Sequence, residues 1–203
     1  MSHDNYLGMI ASKAMDKEIN KPLSFRNQGW SVETIKEDNY FIYLKIIKSS
    51  IITYMLCYNY NNINFKINNK VKKINGKEGE ILNCIWLEYN KNINIYKDFV
   101  NTYKIQGQLV VTGYKLGGSV AGIASAMFNI KSILINPIPF IIHRNWLKNY
   151  NILPKSYVIK EEKLNILNVN NYNVTLISPI LLANCHNIKC YIDYFRKKTN
   201  KLC

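Results

Sequence analysis

The sequence predicts a compact three-layer α/β fold, with a mainly parallel sheet and an antiparallel hairpin on its N-terminal side. Two observations predict it. Apolar runs that suit strands alternate with stretches of helical spacing. One β-branched run, 108–114, passes through a glycine-flanked turn directly into a helix of small residues, which is the order found in parallel sheets. At 203 residues we expect a single domain over 1–203.

Composition indicates a globular chain with a basic surface. Hydrophobic residues make up 48% and aromatic residues 12%, and 27 Lys+Arg against 13 Asp+Glu give a formal charge of +14. The basic residues are scattered, so we do not expect nucleic acid as a partner. Asn, Ile, Lys and Tyr are abundant and have AT-rich codons. The bias predicts an AT-rich genome, such as that of a large DNA virus or an intracellular parasite.

Cysteine and histidine spacing argues against a disulfide framework, a metal site and a cofactor. The five cysteines are odd in number and form no C-x-x-C pair, so we expect reduced thiols. His3, His143 and His186 lack metal-ligand spacing. No apolar run reaches membrane-spanning length, and the polar N-terminus has no apolar run that would predict a signal peptide. We therefore expect an intracellular protein with no transmembrane segment.

The N-terminal elements follow from apolar spacing. The segment through about Glu18 has helical periodicity and is expected to pack over the sheet edge. A turn at 29–30 precedes two β-rich runs, Tyr40 to Ile47 and Ile51 to Cys57, which predict the hairpin.

The middle of the chain is less regular. Asn61 to Lys77 is predicted to be a loop, and Ile81 to Tyr89 suits either a strand or a buried helix entry. Ile93 to Tyr103 has helical spacing, and Ser132 to Ile135 is a short strand that ends before two prolines.

The last third of the chain contains one clear strand and one helix. Tyr157 to Lys163 is ambiguous, whereas Leu164 to Val169 predicts a strand followed by a loop at 170–174. The run Tyr191 to Phe195 predicts a terminal helix.

The most informative segment reads V-T-G-Y-K-L-G-G from Val111 to Gly118. Gly113 and Gly117 flank Lys115, where side chains would collide across a tight strand-to-helix turn. The segment resembles the elbow of the lipase class 3-like branch of the α/β-hydrolases, which typically reads V-T-G-H-S-L-G-G-A-L-A. Lys115 stands where that family has its nucleophilic serine, so the resemblance implies an α/β-hydrolase-like fold.

The resemblance also implies the remaining site positions. The acid would be Asn173 or Tyr172, in the loop after the late strand, and the base would be His186. The remaining positions are the oxyanion-type donors and the elbow glycines, namely Leu116, Tyr60, Asn61, Gly113, Gly117 and Gly118. The chain departs from the family here too, because its R-G-T oxyanion loop is absent.

Of the three catalytic roles, nucleophile, acid and base, the first two are chemically lost. Asparagine does not stabilise an imidazolium as a carboxylate does, and that defect alone costs on the order of 10⁴ in rate. The lysine nucleophiles of enzymes act on ketones and aldehydes, and an amide formed on Lys115 would not turn over by simple hydrolysis. Ser119 lies one turn into the helix and is expected to be structural. Cys185, beside His186, is expected to be an inert thiol.

These positions predict a catalytically inactive, lipase-like pseudoenzyme that binds a ligand or a protein partner through the relict active-site face. Lys115 either forms an anion-accepting pocket with the helix amides or simply extends into solvent. Two alternatives stay open: an active lipid or ester hydrolase with an atypical nucleophile, and a viral or parasite assembly protein that self-associates through this fold. The expected partner is an unknown protein or an anionic small molecule.

Overall fold

The structure, a computed structural model, describes residues 3–16, 29–59, 78–137, 155–159, 173–177 and 188–200. These residues form a mixed α/β fold of one seven-stranded sheet and four helices. Several predictions fall outside the described ranges. They concern the loop from Asn61 to Lys77, the strand from Leu164 to Val169, and the sites Tyr60, Tyr172 and His186.

The described sheet has its strands in sequence order, from β1 to β7. The strands are β1 Trp30–Glu37, β2 Phe41–Lys48, β3 Ile51–Tyr58, β4 Gln108–Tyr114, β5 Lys131–Ile135, β6 Lys155–Ile159 and β7 Asn173–Ile177. Strands β1, β2 and β3 pair antiparallel, and β3 to β7 run parallel to one another. The carboxyl ends of β3 to β7 therefore meet at one edge of the sheet.

Helices cover both faces of this sheet, which gives the three predicted layers. The helices are α1 His3–Met15, α2 Glu78–Tyr103, α3 Leu116–Phe128 and α4 Ile188–Asn200. Helices α1 and α4 share one core cluster with the sheet, and α2 and α3 share the other. Consecutive side chains of β4 point to opposite faces of the sheet, since Val110 packs toward α1 and Val111 toward α3.

The predicted antiparallel hairpin is confirmed as β2 and β3. Lys48 pairs with Ile51 across a two-residue turn, in which Ser49 has φ 54°. Strand β1 was not predicted. Its residues are mostly polar and exposed, so it lacks the apolar alternation by which a strand is recognised in sequence.

The helix at the start of the chain is confirmed, but its predicted place over the sheet edge is wrong. Every residue from Tyr6 to Met15 is buried, because α1 lies between α4 and the central strands β3, β4 and β5. Gly8 makes the close approach possible, since a Cβ there would collide with the ring of Phe195. Apart from Lys13, the enclosed residues from Tyr6 to Met15 are apolar, aromatic or small, as expected for a helix covered on all sides.

Three ambiguous or incorrect boundaries are settled by the described backbone. The run Ile81 to Tyr89 is helical, because α2 continues unbroken from Glu78 to Tyr103. Strand β6 covers the first part of the ambiguous stretch at 157–163. Asn173, predicted to lie in a loop after a strand, is the first residue of strand β7.

Candidate functional site

The backbone turns sharply at Lys115, between the end of β4 and the start of α3. Lys115 has φ 50° and ψ −117°, a region that side-chain-bearing residues rarely adopt. Such a conformation costs on the order of 1–3 kcal/mol and persists only when the surrounding structure imposes it. The strand, strained residue and helix reproduce the elbow predicted from the sequence.

Three glycines make this turn possible. A Cβ on Gly113 would collide with the backbone of Gly117. A Cβ on Gly117 would lie 2.6 Å from the carbonyl oxygen of Tyr58, and one on Gly118 would lie 2.9 Å from the carbonyl oxygen of Gly113. The elbow is therefore packed backbone against backbone, with no space for side chains.

Backbone hydrogen bonds hold Lys115 on both sides. Its N–H donates to the carbonyl of Ile135 on β5, with an N to O distance of 3.1 Å. Its carbonyl accepts from the N–H of Ser119 at 3.1 Å and from the Ser119 hydroxyl at 3.2 Å. Ser119 is fully buried, and this bond gives its hydroxyl a structural role.

The side chain of Lys115 is exposed and extends over the neighbouring aromatic ring. Its Nζ lies 5.3 Å from the ring centroid of Tyr114, within the range of a cation–π contact. Tyr114 is half-buried against the α1 side of the core. In the described part of the chain no carboxylate forms an ion pair with Lys115. The exposed side chain matches the second of the two predicted alternatives, in which Lys115 extends into solvent.

The first turn of α3 presents backbone donors beside this ammonium group. Leu116, Gly117 and Gly118 occupy the first three helical positions, whose N–H groups have no acceptor within the helix. Lys115 is the N-cap and makes no side-chain cap hydrogen bond. One of these backbone donors is the Leu116 N–H, whose predicted role as an oxyanion-type donor stays a prediction. Amides and ammonium together create a local positive potential.

Two buried asparagines flank the elbow at the ends of the adjacent strands. Asn59 follows β3 and is 6% exposed, and Asn136 follows β5 and is 4% exposed, with φ 46°. The register places Asn136 directly beside Lys115, since Tyr114 pairs with Ile135. The sequence places Asn59 in the loop that corresponds to the family's oxyanion loop, but neither asparagine was predicted to be a site residue. The usable signal was their position immediately after two parallel strands, where ligand sites of α/β sheets lie.

A polar cluster anchors β3 to α2 next to the elbow. The Tyr58 hydroxyl donates to Glu88 Oε1 at 2.7 Å, and Asn92 Nδ2 donates to the same oxygen at 3.2 Å. Burial raises the pKa of Glu88, but the hydrogen bond from Tyr58 and the charge of Lys91 outweigh it and hold the pKa below its usual value. Glu88 therefore stays ionised and tied to the strand that contacts Gly117.

The position predicted for the acid lies away from the elbow. Asn173 pairs with Lys155, which pairs with Ile133, and Ile133 pairs with Thr112. Three strand spacings of about 4.8 Å separate β7 from β4, or roughly 14 Å. Asn173 also begins its strand, whereas Lys115 follows the end of one. Tyr172, His186, Tyr60 and Asn61 lie outside the described residues, so their roles remain predictions.

Nothing in the described ranges forms a metal centre or a membrane span. No group of three His, Cys, Asp or Glu residues there could hold a metal ion. No described helix combines the length and apolar character needed to cross a bilayer. Cys57 is buried without a disulfide, and burial raises the pKa of its thiol, as expected for an inert cysteine.

Comparison with known proteins gives a likeness in structure and none in sequence. No protein-family model and no curated protein matches the sequence. Among solved structures, the chain is similar to the crystal structure of a lipase from Rhizopus microsporus var. chinensis, with 13% sequence identity and a TM-score of 0.43. The alignment covers 81% of this chain and 67% of the lipase chain.

Proposed function

We propose that this chain is a non-catalytic protein on a hydrolase-like scaffold, which binds an anionic group of a ligand or protein partner at the elbow. One observation carries the proposal. Lys115 has φ 50° and ψ −117° between β4 and α3, the place and backbone of a nucleophile, but carries an ammonium group. An anion there would contact both the ammonium and the first amides of α3.

The chemistry of the described residues supports a non-catalytic role. Acyl transfer by a serine hydrolase needs a hydroxyl that a base can deprotonate. The nearest hydroxyl along the helix, that of Ser119, is fully buried and donates to the carbonyl of Lys115. Attack by Lys115 on an ester would form an amide, which is not a turnover intermediate.

Electrostatics support anion binding. A cation beside a helix N-terminus is unfavourable by a few tenths to about 1 kcal/mol at an exposed site. The Tyr114 ring offsets part of that cost, because it lies 5.3 Å from Nζ. A bound carboxylate or phosphate would offset the rest and would accept charge-assisted hydrogen bonds from the helix amides.

The first experiment tests for hydrolysis. We expect the wild-type protein to resist labelling by a fluorophosphonate probe and to leave p-nitrophenyl butyrate uncleaved above background. Ser119→Ala is the matched control, because it removes the nearest hydroxyl. Mass mapping of a labelled residue, with activity lost on its substitution, would overturn the non-catalytic proposal and favour an atypical hydrolase.

The second experiment tests anion binding with inorganic phosphate and with acetate. We expect saturable shifts of the Gly117 and Gly118 amide resonances. Lys115→Gln should weaken binding by about 10-fold or more, as expected for loss of one charge-assisted hydrogen bond. Lys104→Gln, an exposed lysine beyond the end of α2, should leave affinity unchanged. If both variants bound the anion equally weakly, the binding would depend on the overall charge of the protein and not on the elbow.

A further inference from the structure

A stack of three aromatic rings joins the start of α1 to the start of β1. The His3 and Trp30 ring centroids lie 5.2 Å apart at 30°, and the Tyr6 and Trp30 centroids lie 4.9 Å apart at 29°. Trp30 is only 3% exposed. The first turn of the buried helix is thus attached to the edge strand through an imidazole.

The stack suits a neutral imidazole. Among the described residues, His3 Nε2 and Trp30 Nε1 are buried and have no hydrogen-bond partner. A neutral imidazole has one donor and one acceptor, whereas the imidazolium has two donors and a charge. A buried charged donor without an acceptor is far more costly than a neutral one. Protonation would therefore turn a tolerated contact into an unfavourable one.

Charged groups around the stack add to this cost. Lys48 Nζ lies 4.7 Å from the Trp30 ring centroid and 5.5 Å from that of Tyr6, so a cation already occupies these faces. Lys131 is ion-paired with Asp4 beside the histidine. Burial lowers the pKa of His3, as do the charges of Lys131 and Lys48, while Asp4 acts in the opposite direction. The positive end of the α1 dipole also disfavours a cation there.

We propose that the His3–Trp30 stack is a pH-sensitive contact, which holds the first turn of α1 on β1 while His3 is neutral and releases it on protonation. Because the folded state binds the proton less tightly than the unfolded chain, the stabilisation is complete above the usual pKa of 6.5. It is lost as the pH falls from there through the lowered value.

The test compares wild type with His3→Phe, which keeps a stacking ring that takes no proton. Hydrogen exchange of the α1 amides is followed at pH 7.5 and pH 5, each corrected for intrinsic exchange. We expect wild-type protection in the first turn to fall at pH 5 while that of His3→Phe persists. The thermal midpoint of wild type should fall by about 2–4 °C more than that of the variant.

Two further measurements keep the test decisive if the variant is poorly folded. The imidazole carbon-bound proton of His3, assigned by its absence in His3→Phe, should titrate below 6.5. The Trp30 indole Nε1–H resonance, assigned through Trp30→Phe, should shift over the same pH range. Titration of His3 at or above 6.5, or equal acid losses in wild type and His3→Phe, would overturn the proposal.

Discussion

The backbone of Lys115 is held by its neighbours rather than by its own side chain. Its N–H and carbonyl are bonded to β5 and α3, and the adjoining glycines leave no space for the chain to relax. The ammonium group is exposed, and among the described residues it contacts the ring of Tyr114. The strained conformation is therefore a property of the glycine framework, and another residue placed at 115 is expected to adopt it.

The tight elbow predicts that Gly117→Ala is more destabilising than a glycine substitution with backbone strain alone. A Cβ at Gly117 meets the Tyr58 carbonyl at 2.6 Å, so backbone must move, and we expect a loss of about 3 kcal/mol in urea unfolding. Gly29→Ala is the control. Gly29 has φ 73° but described atoms leave its Cβ position open, so about 1 kcal/mol should be lost. Equal losses of unfolding free energy in the two variants would contradict a steric clash at Gly117.

The sequence was sufficient to predict the elbow, because a strand, glycine spacing and helix lie within twenty consecutive residues. The acid position was harder to predict, because it depends on where a distant strand begins and ends. A shift in that boundary moved Asn173 from a loop to the start of β7. The buried asparagines at 59 and 136 belong to the site through strand pairing, which local sequence does not reveal.

Among the elements, those with strong apolar periodicity were predictable and the polar edge strand was not. Helix α1 and the β2–β3 hairpin carry clear apolar spacing, and α3 was predicted from its small residues after the glycine-flanked turn, whereas β1 is largely exposed. Its register shifts between Thr34 and Lys36, and the strand also carries Glu33 and Glu37. A bulge with charges is a common protection for an unpaired edge. The polar residues that made β1 hard to predict are of the kind that protect edge strands.

The attachment of α2 to β3 predicts a coupling between Tyr58 and Glu88. Tyr58→Phe and Glu88→Gln should be non-additive in unfolding free energy by about 1 kcal/mol at pH 7. Because the Glu88 pKa is lowered, this stabilisation is present above the usual value of 4.5 and is lost as the pH falls through the lowered one. The coupling should therefore disappear in acid.

Tyr54→Phe provides the matched control for this cycle. Its hydroxyl donates to Gln106 Oε1 at 3.2 Å and involves no carboxylate. Tyr54→Phe and Glu88→Gln should therefore lower the unfolding free energy additively at every pH. A coupling as large as that of Tyr58 would mean that the cycle reports a general change in the packing of α2.

For the whole molecule, the charge of +14 predicts stabilisation by salt. Like charges repel in the compact state, and raising NaCl from about 0.1 M to about 1 M shortens the screening length from about 10 Å to about 3 Å. We expect the thermal midpoint at pH 7 to rise by about 2–4 °C. Near the sequence pI of about 9.5 the net charge vanishes. At that pH we therefore expect a smaller rise of the thermal midpoint with salt. A rise as large as that at pH 7 would show that salt does not act by relieving repulsion.

The order of strands in the sheet bears on how the chain acquires its structure during synthesis. Each described strand pairs with the preceding one, so its partner has already been made when it leaves the ribosome. The layer formed by α1 and α4 is different, because its two helices come from opposite ends of the described chain. The side of α1 that packs against α4 therefore stays uncovered until α4 has been translated, whereas the side that packs against β3, β4 and β5 is covered by strands made earlier.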